Sequence, residues 1–273
     1  MRRLSGTPVF GTQALATSAA LFLALGASSC MSAGAYKAQV TPQRPTFSND
    51  TRTASFGTME LEAGLEVGMN PDPGQNAARL DTVARFGVSE TGEFFLGWTP
   101  YQSVDAVGPD PDGTGDLLVG FRQRLMDETE SLPATALQIV TELPVGEDDP
   151  NFSAGHTNFA AAFIADRSFD DLSTTFFYQL GVLDNGDAFD QDINHLLAFA
   201  GSLPIDDLLT AQAEFAWFYF PETDVEPIFL TLLGQYALSD TMMFDAGFRL
   251  GLNDDAQDVS VFAGIVTNLG RLF

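Results

Sequence analysis

Two histidines, one cysteine and an Asp-Pro-Asp-Gly run are the residues with which this 273-residue chain could begin chemistry. A hydrolase needs its nucleophile within hydrogen-bond reach of a base. Enzymes that work from the wall of a membrane barrel keep those groups in a His-x-Ser order. Here His156 is followed by Thr157 and Asn158, and His195 by Leu196 and Leu197, so neither has a serine two places on. No CxxC, HExxH or phosphate loop occurs. The residues predict no enzyme and no cofactor. The run Asp110-Pro111-Asp112-Gly113 offers oxygen ligands and a glycine turn, but it lacks the spacing and closing Glu of a calcium loop. We read it as solvated acidic surface, and no metal site is expected.

Cys30 belongs to a different chemistry. Arg2 and Arg3 precede an apolar run over residues 14–27, with no acidic residue before position 30, and the pattern is that of a secretory signal. The run falls short of the roughly 18 residues that a spanning helix needs. Ala27-Ser28-Ser29-Cys30 resembles a lipobox with Ala in the usual Leu position, which would make Cys30 a lipidated first residue. Ala33-Gly34-Ala35 instead offers ordinary signal-peptidase cleavage and would discard Cys30. The signal is thus residues 1–29 or 1–35, and both outcomes carry the chain out of the cytoplasm.

The elements behind these residues repeat with a period of two. Residues 30–54 are polar, contain proline and lack a period, and read as a periplasmic tether. From residue 55 the chain alternates. Met59, Leu61, Ala63, Leu65, Val67 and Met69 fall on one face of a strand, and Glu60, Glu62 and Glu66 on the other. The alternation recurs in about twelve segments of roughly 10–12 residues, longer than typical soluble strands and close to the 9–11 that cross a bilayer at a tilt. No segment carries a convincing helical stripe. Long connections such as Tyr101–Thr114, Val145–Gly155 and Leu183–Asp192 alternate with tight ones such as Ser89–Gly92, Pro204–Asp207 and Ser239–Thr241. An even number of strands with loops on one side and turns on the other predicts an all-β chain, a transmembrane antiparallel up-and-down barrel over 55–273. The terminal Phe273 resembles the signal by which the barrel-assembly machinery recognises such chains.

Parity also sorts the charge. The sequence has 37 acidic against 12 basic residues, a formal net charge of -25, and Lys37 is its one lysine. That balance excludes a nucleic-acid partner, since phosphate neutralisation needs Lys and Arg. Apolar residues make up 45%, which excludes a wholly disordered chain, and one cysteine excludes a disulfide framework. The apolar face, including Leu137, Ile139, Phe159, Phe163, Phe215, Phe244, Phe248, Val261 and Ile265, is expected to meet lipid. The opposite face collects Glu60, Glu62, Glu66, Arg79, Asp81, Arg85, Asp116, Arg122, Arg124, Glu142, Glu214, Asp245 and Arg249 as lumen-lining candidates. These form either a structural network of Arg–carboxylate pairs or a path that orients a solute. The remaining acid, from Asp72 and Asp105 through Asp254, Asp255 and Asp258, falls in or beside the long loops, where it would repel anions and meet lipopolysaccharide through divalent cations.

Several phrases carry a family resemblance. Gly115-Asp116-Leu117-Leu118-Val119-Gly120 opens one strand, and Glu142-Leu143-Pro144-Val145-Gly146 closes the next. Leu233-Gly234-Gln235-Tyr236-Ala237-Leu238 leads to Asp245-Ala246-Gly247-Phe248-Arg249-Leu250-Gly251-Leu252. In order and spacing they resemble the outer-membrane transporter family named for the MetA pathway of phenol degradation, with Val145 where that family has Thr. The resemblance covers about residues 55–273. It implies a porin-like barrel that passes small hydrophobic or aromatic compounds, and it supplies no catalytic or binding residue. The alternatives are a closed structural or surface-interaction barrel and, third, a lipid-modifying enzyme.

Overall fold

The computed structural model describes residues 40–70, 75–104, 112–147, 152–187 and 190–272. The signal segment, Cys30, Phe273 and the loop acids Asp72, Asp105, Asp110, Asp148 and Asp149 lie outside the described residues.

Thirteen strands follow in order: β1 (Thr58–Asn70), β2 (Gln75–Gly87), β3 (Gly92–Val104), β4 (Asp112–Gly113), β5 (Leu117–Met126), β6 (Ala134–Leu143) and β7 (Asn158–Phe169). The remainder are β8 (Leu172–Asp187), β9 (Asp190–Pro204), β10 (Leu209–Tyr219), β11 (Ile228–Ser239), β12 (Met242–Gly251) and β13 (Val259–Arg271). Each wall strand pairs antiparallel with its sequence neighbours, and β1 pairs with β13, which closes the sheet. Two-residue β4 is only a patch on β3 in the adjoining loop. The result is a closed antiparallel barrel of twelve strands.

Alternation builds this wall because lipid-facing and lumen-facing positions must alternate along every strand. Outward residues meet across strands, as in Phe121 with Ile139, Leu137 with Phe163, Phe176 with Phe199 and Phe244 with Ile265. Such pairs contribute about 0.2–1 kcal/mol each. Ile139 and Phe159 are 59% and 56% exposed, the apolar band that a bilayer would cover.

Two expected loops are partly strand. β8 and β9 run past Leu183 and Asp192 into a projecting arm, because pairing continues through Leu183 with Asp192 and Asp184 with Gln191 before a bulge. Within Tyr101–Thr114, β3 continues to Val104 and takes Asp112 and Gly113 as partners.

The larger departure concerns the tether. Its described part, from Val40 to Ala54, does not trail from the barrel but lies inside it. Thr51 and Ala54 are buried, and Phe47 packs against the inward side chains of the far wall. The interior is also not polar throughout. Ala136, Ala162, Ile164, Phe177, Leu196, Ala198 and Ala216 from β6–β10 form a buried apolar cluster, joined by Phe47 and Phe218. Small inward alanines on this side leave room for the segment, whose Phe47 packs on the cluster.

Candidate functional site

Segment 40–56 circles the lumen, held by wall carboxylates that accept its backbone N–H groups. Thr41 N–H donates to Glu60 at 3.1 Å, Gln43 and Arg44 to Glu62 at 3.2 Å each, and Ala54 to Glu93 at 2.7 Å. On the opposite wall Phe47 and Ser48 donate to Glu214 at 2.9 and 2.7 Å, and Thr51 to Asp166 at 2.7 Å. The acceptors come from β1, β3, β7 and β10, so the segment is tied around the barrel. This explains why a non-periodic stretch can sit inside: it uses the wall's charge to satisfy its own peptide groups.

Wall arginines complete the arrangement from the other sign. Arg85 lies 3.2 Å from Glu60, 3.0 Å from Glu62 and 2.7 Å from Glu93, and donates to the Thr41 carbonyl. Arg122 approaches Glu93 at 3.5 Å, donates to Gln138, and reaches the carbonyls of Asp50 and Arg52 at 3.2 and 3.1 Å. Arg249 bonds Glu66 and the Pro45 carbonyl, and its guanidinium lies 3.9 Å from the centre of the Phe47 ring. Each of these arginines therefore joins wall to segment as well as wall to wall.

The thirteen charged candidates all project inward, but they have separate employments. Glu60, Glu214, Asp245 and Arg249 meet the segment, as do Glu62, Arg85 and Arg122. Glu62, Glu66, Arg79, Asp81, Arg85, Asp116, Arg122 and Glu142 line a cavity of about 580 Å³ on the long-loop side. Arg79 pairs with Asp81 at 2.9 Å and lies 3.8 Å from Glu66. Asp116 holds the loop before β7 through the Gly146 and Ala154 amides, and Glu142 accepts from Asn158. Arg124 stands apart, near the short turns, beside a second cavity of about 340 Å³. It pairs there with Asp127 at 3.2 Å.

Sequence reading missed several participants. Glu93 shares the inward parity of Phe95 but opens its strand directly after a turn, where only the alternation downstream marks its side. Arg44, Asp50 and Arg52 sat in the supposed tether. Asp166 and Gln138 continue the inward series of β7 and β6, and their parity with Asn158 and Glu142 was the available signal.

The two cavities share three lining residues, Gln43, Arg44 and Thr46. These three residues of the segment therefore stand between the two cavities. The upper cavity mixes five carboxylates and four arginines with apolar side chains, among them Val83, Phe95, Leu118, Val140 and Leu183.

Neither histidine lies at this site. His156 is exposed in the loop before β7. His195 is on the outer wall, where its Nδ1 is 2.9 Å from the Tyr178 hydroxyl and its ring stacks between Tyr178 and Tyr219. Trp217 stacks on Tyr219 at 5.8 Å, extending an aromatic ladder near the long-loop rim. No group of three metal-ligating side chains occurs among the described residues.

No protein-family model matches the sequence, and no curated protein matches it. Solved structures share its fold. An outer membrane channel from Pseudomonas putida F1 superposes with a TM-score of 0.65 at 10% identity, over 82% of this chain and 100% of that one. The NanC porin gives 0.56 at 10% identity, over 77% and 100% of the two chains. The KdgM porin in complex with disordered oligogalacturonate gives 0.52 at 11%, over 77% and 99%. At these identities the likeness shows the fold, that of outer-membrane barrels.

Proposed function

We propose that the chain is a passive channel of the bacterial outer membrane, with the N-terminal segment setting its permeability. The observation that carries this is a pair of cavities in one lumen, one toward the long loops and one toward the short turns, with Gln43, Arg44 and Thr46 of the inserted segment lining both. The fold shared with an outer membrane channel and two porins supports the same reading.

In this arrangement the signal segment exports the chain, Phe273 addresses the assembly machinery, the termini and short turns are periplasmic, and the acidic loops face outward toward lipopolysaccharide. Mass spectrometry of the mature amino end distinguishes a lipidated Cys30 from cleavage after Ala35. The resemblance to the MetA-pathway transporters makes small aromatic or hydrophobic compounds the first solutes to try. The apolar side chains among the charges of the upper cavity give such a solute a surface to contact. The dense bonding of segment 40–56 favours a second reading, a closed barrel without transport. Planar-bilayer conductance together with solute uptake in a deletion strain decides between them. Measurable conductance and reduced uptake on deletion are expected; silence in both assays leaves the closed barrel.

A further inference from the structure

Resting on that channel reading, we propose that the upper cavity takes small amphipathic cations, an amine on an aromatic or aliphatic body, and that Asp116 and Glu142 select their charge. The cavity's charges are not evenly matched. Every arginine that lines it already has a carboxylate on the wall: Arg85 has Glu60, Glu62 and Glu93, Arg122 has Glu93, Arg79 has Asp81 and Glu66, and Arg44 has Asp245. Asp116 and Glu142 receive neutral donors only, the Gly146 and Ala154 amides at 3.0 and 2.8 Å and the Asn158 side chain at 2.8 Å. No arginine pairs with either among the described residues. Neutral donors fix a carboxylate in place and leave its net charge in the chamber.

The two carboxylates stand together. Leu118 of β5 is the register partner of Glu142 on β6, and Asp116 lies two residues before Leu118 on the same inward face. Diagonal neighbours of this kind are about 7–8 Å apart. Leu118, between them, is 36% exposed although it lines the lumen, and Val140 continues the apolar strip on β6. Three glycines keep the space clear. A Cβ on Gly97 would fall 3.2 Å from the Leu118 Cβ, one on Gly120 2.0 Å from Phe95 Cζ, and one on Gly181 1.9 Å from Asn194 Oδ1. Each of these side chains therefore lies along the wall over a glycine instead of crossing the chamber. What remains is about 580 Å³, with an uncompensated negative pair beside an apolar strip. An anion is repelled there, an inorganic cation gains from the charge alone, and an amine with an apolar body gains from both.

Reversal potentials across planar bilayers test this, with folding of each protein checked by heat-modifiable gel migration. The gradients are run near about 1 M salt, where screening over roughly 3 Å suppresses the acidic rim but not a charge beside the permeating ion. The parent is expected to prefer potassium to chloride, and benzylammonium to benzoate. Asp116→Asn and Glu142→Gln, which keep an acceptor oxygen, are each expected to lower the potassium preference several-fold, and either one suffices should the other not fold. Leu118→Ser is expected to leave the potassium preference unchanged and to lower the permeability of benzylammonium relative to potassium. A conducting parent without the potassium preference, or with one that survives both charge-removing variants, overturns the role of Asp116 and Glu142. An unchanged benzylammonium ratio in Leu118→Ser overturns the apolar contact, and the channel reading stands in each of these cases. Silence of the parent removes the channel and the assignment together.

Discussion

Arg85 carries the largest single load in the lumen: three buried carboxylates, Glu60, Glu62 and Glu93, converge on one guanidinium. Removing one member of a buried ion network leaves the others uncompensated, at a cost of about 3–5 kcal/mol. Arg85→Met is therefore expected to lower the temperature at which the folded gel band disappears. The parity of Arg85, Glu60 and Glu62 was readable because these charges alternate with apolar neighbours on a wall that must present hydrocarbon outward. Their partner was not readable. Segment 40–56 reaches them through peptide N–H groups, as at Gln43 and Ala54, and every sequence has those. Only Phe47, an isolated aromatic in a polar stretch, marked the segment as one that needs burial, and it packs on the apolar cluster of the far wall.

At the scale of strands and turns, the period of two located all twelve wall strands, since lipid imposes one polarity on alternate residues. It blurred where both faces are apolar. In β7 the outward residues Phe159 and Phe163 alternate with inward Ala160, Ala162 and Ile164, so composition alone did not reveal that this side of the lumen is a packed core. Phe163→Arg, placing a charge on the outer face in mid-strand, is expected to destabilise the barrel by about 2–4 kcal/mol in bilayer unfolding measurements. The turns have their own titration. Asp206 accepts from the Leu208 and Leu209 amides, and Glu128 from the Ser168 amide and hydroxyl, which hold both carboxyls below their ordinary values of 3.8 and 4.5. A depressed carboxyl stabilises its turn above the unfolded value, and the contribution fades as pH falls through the lower folded one. Amide exchange at Leu208, Leu209 and Ser168 should therefore stay protected at pH 5 and lose that protection only in more acid solution. Loss of protection between pH 6 and 5 would contradict the assignment.

For the whole molecule, the net charge of -25 divides into a mixed-sign interior and a largely acidic rim, separated by an apolar wall. The described rim residues Glu222, Asp224, Asp254 and Asp255 are exposed at one end of the barrel. That division and the closed sheet were legible in the sequence. Occlusion was not, because it depends on where a non-periodic segment goes after the barrel has formed. The central claim is that residues 40–54 occlude a lumen that would otherwise conduct. It is tested most directly by single-channel recording of the mature chain against the same chain lacking residues 40–54, each shown to be folded by heat-modifiable migration. A small or intermittent conductance in the first and a steady one several-fold larger in the second is the predicted result. Equal conductance in the two, or none in either, would contradict it.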